Sequence, residues 1–167
     1  MAHGPRYRVH FRRRREGKTD YRSRRNMLRG DLPRAVVRHT LRYVTVQFIT
    51  YDEKGDSIVA TATSKELAKF GWKGANGNTT AAYFAGLLAG KRALAKEVDE
   101  AVLDIGLQSP AKGSSVFAAL KGMVDAGVEI AHDEEALPSE ERIKGAHLKT
   151  PPGAMFDQVK TKIMEAR

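Results

Sequence analysis

The chain has 167 residues, 41% of them hydrophobic and 29% charged, and carries 29 Lys or Arg against 20 Asp or Glu, for a net charge of +9 at pH 7. That length suits one domain of ordinary size with a single core. The absence of cysteine excludes a disulfide framework, a thiolate zinc site and a cysteine nucleophile, and is compatible with a reducing cytosol.

The charge is unevenly spread. Residues 1–34 hold twelve Arg or Lys and three acids (Glu16, Asp20, Asp31), a surplus of nine that equals the net charge of the whole chain. The remaining 133 residues therefore sum to zero. A segment with four consecutive arginines repels itself and has too little apolar content to offset the entropy of folding, so this arm is expected to be disordered until an anion arrives. All but Lys18 of its cations are Arg, which favours forked pairing with phosphate. Tyr7, His10, Phe11 and Tyr21 are interleaved with them, and aromatic and guanidinium planes are what unpaired bases stack on. The candidate RNA contacts here are Arg6, Tyr7, Arg8, Phe11, Arg12, Arg13, Arg14, Arg15, Lys18, Tyr21, Arg22, Arg24, Arg25 and Arg29. The plainer readings of such a run are a nuclear-localisation signal or a solvated tail.

The opening Met-Ala-His-Gly-Pro-Arg has no apolar h-region, so it does not read as a secretory signal. The longest uncharged run, Gly74 to Gly90, is shorter than a membrane span and rich in Gly, Asn and Thr. These features read as a soluble protein with no membrane partner.

After the arm the pattern turns to β. Val44, Val46 and Phe48 alternate with Tyr43, Thr45 and Gln47, which predicts one buried and one polar face. Asp52-Glu53-Lys54-Gly55-Asp56 is a turn, and alternation resumes through Ile58, Ala60 and Ala62. Strands over Ala35–His39, Leu41–Tyr51 and Ser57–Thr63 form an antiparallel meander. Its polar face reads either as plain solvent-exposed surface or, beside a basic arm, as an RNA platform with Arg38 and Arg42 as candidate contacts.

Ser64 to Lys69 predicts a helical turn. The loop Phe70-Gly71-Trp72-Lys73-Gly74-Ala75-Asn76-Gly77-Asn78 tolerates unusual backbone angles and invites a phosphate cradle, with Trp72, Lys73 and Asn76 as candidates. It lacks the Gly-Lys-Ser/Thr entry of a P-loop. Trp72 has two readings, stacking on a base or plugging the core.

Asn78 or Thr79 caps a helix with apolar residues at Phe84, Leu87, Leu88, Leu94 and Val98, ending near Lys96. Gly86 and Gly90, each costing about 1 kcal/mol relative to alanine inside a helix, imply close packing against a sheet or an RNA backbone. Glu100 to Ile105 reads as a strand, Ser114 or Ser115 caps a second helix that stops at Gly127, and Val128-Glu129-Ile130 reads as a last parallel strand. The order implies an α/β fold with a mixed sheet and helices packed against it. The acids Asp133, Glu134, Glu135, Glu140 and Glu141 read as solvated surface. His3, His10, His39, His132 and His147 have no metal-ligand spacing, so no metal and no cofactor is expected. Pro151-Pro152-Gly153 precedes a tail whose Phe156, Val159 and Ile163 form an amphipathic stripe expected to dock on a neighbour. The division that follows is a basic arm over 1–34, a mixed-sheet domain over 35–132 and a C-terminal extension over 133–167.

Three segments together resemble one family. They are Arg12-Arg13-Arg14-Arg15-Glu16-Gly17-Lys18-Thr19-Asp20-Tyr21-Arg22; Phe70-Gly71-Trp72-Lys73-Gly74 running to Thr80-Ala81-Ala82-Tyr83 and Gly86-Leu87-Leu88; and Val116-Phe117-Ala118-Ala119-Leu120-Lys121-Gly122 to His132. Their order and spacing are similar to the universal large-subunit ribosomal protein that binds 5S rRNA, in its archaeal and eukaryotic form, over residues 5 to about 148. The resemblance implies a ribonuclease-H-like arrangement of the α/β sheet, with a long basic N-terminal extension and a short C-terminal one. It implies a cytoplasmic, ribosomal location in the central protuberance, with 5S rRNA, the large-subunit rRNA and neighbouring large-subunit proteins as partners and no homo-oligomer. Beyond Leu148 no family motif is visible. No paired catalytic carboxylates stand on the strands, so the expected role is structural rather than enzymatic. The competing functions are a transient rRNA-binding assembly factor and a nucleotide-handling enzyme built on the 71–80 loop.

Overall fold

The computed structural model describes residues 4–148 and 152–166. The first three residues of the arm with His3, and Pro151 and Arg167 of the tail, lie outside the described residues.

The arm is not featureless. Arg12–Arg15 forms a single helical turn, α1. Tyr21–Met27 forms α2, capped by the Asp20 carboxylate, which accepts from the backbone N–H of Arg22 and Ser23, and continued by a 3₁₀ turn over Leu28–Gly30. An Asp in the cap position satisfies N–H groups that the first turn leaves unpaired, so a short polar sequence still finds one local structure.

The chain then enters the sheet earlier than its charge pattern predicts. β1 spans Arg34–His39, so Arg34, counted with the arm, is the first residue of the domain. β2 covers Val44–Thr50 and β3 covers Ser57–Thr63. The expected strand over Leu41–Tyr51 is shortened at its start because Thr40 to Tyr43 is a tight turn. The Thr40 hydroxyl donates to the Tyr43 carbonyl at 2.8 Å, and the Tyr43 N–H donates back to that hydroxyl at 3.2 Å. A hydroxyl that bonds the backbone three residues on competes with strand pairing, which alternation alone does not reveal. A 3₁₀ helix over Ser64–Phe70 follows, opened by a capping box between Thr63 and Glu66.

The helix α3 spans Thr79–Leu94, and the Asn78 side chain accepts from the Ala81 N–H at 2.7 Å. β4 is Glu100–Asp104, α4 is Ser115–Ala126, and β5 is Glu129–Ile130. The single turn α5 covers Glu140–Ile143, and α6 covers Ala154–Glu165. The sheet order is β3-β2-β1-β4-β5. β1 to β3 are antiparallel neighbours, as in the meander read from sequence, and β4 pairs in parallel with both β1 and β5. The architecture is therefore a mixed α/β sheet of five strands with helices.

Ala35, Val37, Val44, Val46, Phe48, Ala60 and Ala62 point from the sheet into one core shared with α3 and α4. α3 lies over β2 and β3, and α4 over β1 and β5. α3 is buried from Thr79 to Gly90 on every side, as befits a helix surrounded by protein rather than one with a solvent face. Its glycines are explained by α4, not by a sheet or RNA. A Cβ on Gly86 would lie 2.0 Å from the Ala119 carbonyl oxygen, and one on Gly122 of α4 would lie 2.1 Å from the Tyr83 carbonyl oxygen. The two backbones touch where each helix lacks a side chain. The tail docks on its own chain. Phe156 stacks on Tyr83 at 5.8 Å and tilts against Phe84 at 4.8 Å, and with Val159 and Ile163 it is buried in the same core.

The glycine contact generates a prediction. Gly86→Ala would gain about 1 kcal/mol of helix propensity but must displace the α4 backbone, and overpacking of that kind costs about 1–3 kcal/mol or more. Urea unfolding followed by circular dichroism should show a net loss of stability for Gly86→Ala. Gly30→Ala, where nothing lies within 4 Å, should change stability by less than about 0.5 kcal/mol.

Candidate nucleic-acid interface

The face of the sheet turned away from α3 and α4 carries Arg34 and Arg38 of β1, on the opposite parity to Ala35 and Val37. Val36 and Asp104 are register partners between β1 and β4, so Asp104 projects from this same face between the two arginines. Arg34 is 3% exposed and Asp104 4%. Arg34 Nη1 donates to Asp104 Oδ2 at 2.8 Å and its Nη2 to Asp56 Oδ2 at 2.6 Å. Arg38 Nη2 donates to Asp104 Oδ1 at 3.0 Å, while its Nη1 reaches the Asp104 and Val37 carbonyls. Arg24 of α2 completes the chain, its Nη2 lying 2.7 and 2.8 Å from the two oxygens of Asp56. Three guanidiniums and two carboxylates thus run from the arm to the centre of the sheet.

A buried charge is tolerable only when paired and hydrogen-bonded; both terminal nitrogens of Arg34 are so engaged, while its buried Nε has no hydrogen-bond partner. Burial pushes the Asp104 carboxyl up, but the Arg38 charge and hydrogen bond, the Gly106 N–H at 2.8 Å and Arg34 outweigh it and hold the group below its ordinary value of 3.8. Gly106 sits at φ +67°, and a Cβ there would meet the Arg38 guanidinium at 3.0 Å. The turn after β4 therefore needs glycine on both counts.

Between α2 and this face runs a cleft of about 570 Å³. Its lining includes Arg13, Lys18, Arg24, Arg34 and Arg38, and equally Asp20, Asp52, Glu53, Asp56 and Asp104. Five charges of each sign cancel, so the cleft is not where the surplus charge acts.

The surplus lies on the outside. Arg12, Arg13, Arg14 and Arg15 are exposed along α1. Arg6, Tyr7, Arg8 and Phe11 are exposed ahead of it, Phe11 at 73% with its ring 5.3 Å from that of Tyr21. Glu16 draws in Lys18 at 2.9 Å and, more loosely, Arg12 at 3.7 Å, exposed contacts of small energy. Arg22, Arg25 and Arg29 are exposed on α2 and its 3₁₀ extension. Of the twelve arm cations, Arg6, Arg8, Arg13, Arg14, Arg15, Arg22, Arg25 and Arg29 have no carboxylate partner among the described residues.

Not every residue singled out in the sequence is available to a ligand. Trp72 is 4% exposed, its ring edge-on to Phe84 at 5.5 Å and its Nε1 donating to the Ala75 carbonyl at 3.3 Å. Of the two readings of this residue, the core plug is the one that the structure shows, and a buried indole with a satisfied N–H has no free face for a base. Asn76 is half-buried and accepts from the Ser64 hydroxyl at 2.6 Å through its main-chain carbonyl, a bond that does not engage its side chain. Lys73 and Arg42 remain exposed. Sequence reasoning missed Arg34, Asp56 and Asp104 as a unit. The available signal was an acid on the polar parity of a predicted strand, which pairing with a distant arginine alone explains.

The chain matches the family of ribosomal large subunit proteins 60S L5 and 50S L18 over residues 5–101 and 96–133. The chain belongs to this family. It is 55% identical over 148 residues to the large ribosomal subunit protein uL18 of Methanothermobacter thermautotrophicus, covering 89% of this chain and 77% of that one. It is 56% identical over 149 residues to the large ribosomal subunit protein uL18 of Aeropyrum pernix, covering 89% and 70% respectively. The family match opens at residue 5, so the basic arm lies inside the region that the family has in common. α6 lies beyond the matched span, although its apolar stripe is part of the core.

The ion-pair chain carries a pH dependence. A carboxyl whose folded pKa is depressed contributes stability that is complete above its unfolded value and is lost as pH falls through the folded one. Asp104→Asn should therefore destabilise the protein by about 3 kcal/mol near neutral pH, because it leaves two arginines short of a buried partner. In urea unfolding at a series of pH values, that gap should begin to close once pH drops below about 4 and be largest above about 5.

Proposed function

We propose that this protein anchors 5S rRNA to the large-subunit rRNA in the central protuberance, as a structural constituent of the large ribosomal subunit without enzymatic activity. Membership of a family of large-subunit ribosomal proteins supports the location and the structural role. The observation that carries the RNA contact is the set of eight exposed arm arginines that no carboxylate among the described residues neutralises. Phosphates are the natural counter-charge, with Arg taking them in forked pairs. Phe11, Tyr7 and Tyr21 stand beside these arginines and suit stacking on unpaired bases, which favours RNA over duplex DNA.

In this reading residues 1–33 act as the arm and the body holds its direction. Arg24 and Arg34 are committed to Asp56 and Asp104 and serve as the hinge pins, while the remaining cations are spent on RNA. Arg42 and Lys73 add exposed charge from the body. The strand order β3-β2-β1-β4-β5 with β2 antiparallel to its neighbours supports a ribonuclease-H-like arrangement. Asp104, the carboxylate at the end of β4, is locked by two guanidiniums, and this argues against the hydrolytic use of that arrangement. Neighbouring large-subunit proteins complete the set of partners.

Changing Arg12, Arg13, Arg14 and Arg15 together to alanine in the full chain tests the arm. None of the four is buried, so circular dichroism should be unaltered. Filter binding to a 5S rRNA transcript should weaken by about two orders of magnitude or more at moderate salt, and the slope of log affinity against log salt should flatten by roughly 3. A variant that binds with unchanged affinity and slope would refute the assignment of the arm.

A further inference from the structure

Beyond the covalent chain, one side-chain contact joins the arm to the body. Among the described residues, the only side-chain hydrogen bonds and the only ion pair that link residues 4–33 to the rest of the protein are those of Arg24 with Asp56. No residue of α2 is buried, so apolar burial contributes little to holding it in place. The arm ahead of that contact is nevertheless one piece. Arg13 Nε donates to Thr19 Oγ1 at 2.9 Å, the Arg13 carbonyl accepts from the Lys18 N–H at 2.8 Å, and the Phe11 ring lies 5.3 Å from that of Tyr21. α1 is thereby tied to the start of α2, and the orientation of α2 sets where the four arginines of α1 lie.

The receiving carboxylate is itself fixed. Asp56 ends the β2–β3 turn, in which the Asp52 carboxylate accepts from the Lys54 N–H at 3.1 Å and the Asp52 carbonyl from the Gly55 N–H at 3.1 Å. Its Oδ2 also accepts from Arg34, which is buried at the start of β1. A partly exposed ion pair such as Arg24 with Asp56 adds little to stability. Its consequence is for binding, because a ligand that needs arm and body in one arrangement binds in proportion to the fraction of molecules already in it. Without that effect, an acid beside a basic arm would only repel a polyanion.

We propose that Asp56 is a positioning residue for 5S rRNA. By pinning Arg24 it holds α2 and the free arginines in the arrangement that the folded RNA meets, so an acidic side chain raises the affinity of a basic protein for a polyanion. The inference rests on the reading of the protein as a 5S rRNA binder and adds to it the body residue that aims the arm.

The test uses the full-length protein as Asp56→Asn, Arg24→Gln and the double variant, with filter binding to a 5S rRNA transcript and to poly(U) as an unfolded RNA. The two substitutions change the charge in opposite directions. Acting through charge alone, Asp56→Asn would tighten binding to both RNAs and Arg24→Gln would weaken it. The pin instead requires each to weaken 5S rRNA binding about tenfold, the double variant to be no weaker than Arg24→Gln alone, and Asp56→Asn to bind poly(U) at least as tightly as the wild type. In the free protein, amide hydrogen exchange should quicken over residues 21–27 in each variant while residues 79–90 stay protected, which separates release of α2 from unfolding. Asp56→Asn also removes a partner of buried Arg34. Should it fail to fold, Arg24→Gln, which leaves both carboxylates with Arg34, decides the matter: unaltered exchange over 21–27 overturns the proposal. A folded Asp56→Asn that binds 5S rRNA as tightly as the wild type or more so overturns it too, as does an additive loss in the double variant. A wild-type chain that does not bind 5S rRNA defeats the reading of the protein and this proposal with it, whereas a binding wild type matched by Asp56→Asn defeats this proposal alone.

Discussion

Asp56 and Asp104 are the constraint on which this structure turns. The arm carries the whole surplus of charge and would leave the body to itself if nothing on the body attracted it. Two carboxylates on the outer face of the sheet supply that attraction at short range. Arg34 lies between them, nearly out of water, and Arg24 and Arg38 extend the chain at either end. In a low-dielectric setting such pairs fix geometry more than they add stability, because the cost of drying the charges offsets most of their attraction. What they provide is direction: α2 is held across the sheet at one place, and the free arginines leave the body from that place.

This arrangement requires that one face of the sheet be closed and the other left open. Closure is the work of α3 and α4. Each helix has a glycine where the other's backbone passes, so the pair packs close enough for both to cover five strands. α6 then seals the far side of α3 with Phe156 against Tyr83 and Phe84. The Tyr83 hydroxyl donates to Asp125 at 2.9 Å, and burial together with that carboxylate holds the phenol protonated far above its ordinary range. With every side of α3 occupied from Thr79 to Gly90, the core helix presents no surface to a ligand.

Charge divides these parts by role. Where acids and bases are equal in number, as in the cleft beneath α2, they hold the protein together. Where bases stand alone, on α1 and on the outer side of α2, no carboxylate among the described residues neutralises them. Glu66 illustrates the first kind away from the interface: burial raises its pKa, but Arg92 and the Thr63 backbone and hydroxyl bring it below its ordinary value, so a capping carboxylate also ties the start of a 3₁₀ helix to α3.

Much of this was legible in the residues. Alternation at Val44, Val46 and Phe48, the Asn78 cap, the Gly127 stop and the crowding of arginines before residue 34 are local signals, and each depends on neighbours within a few positions. The composition of the arm and three spaced motifs were enough to point to an RNA-binding ribosomal family. What the tertiary structure alone decided were the partners at long range. It moved Arg34 from the arm to the sheet, since Asp104 lies 70 positions away in sequence. It put Trp72 in the core, gave Gly86 and Gly90 an opposing helix, and turned the stripe of α6 onto its own chain. A sequence states which side chains seek burial or an opposite charge, but which distant group satisfies them is settled only when strands and helices pack.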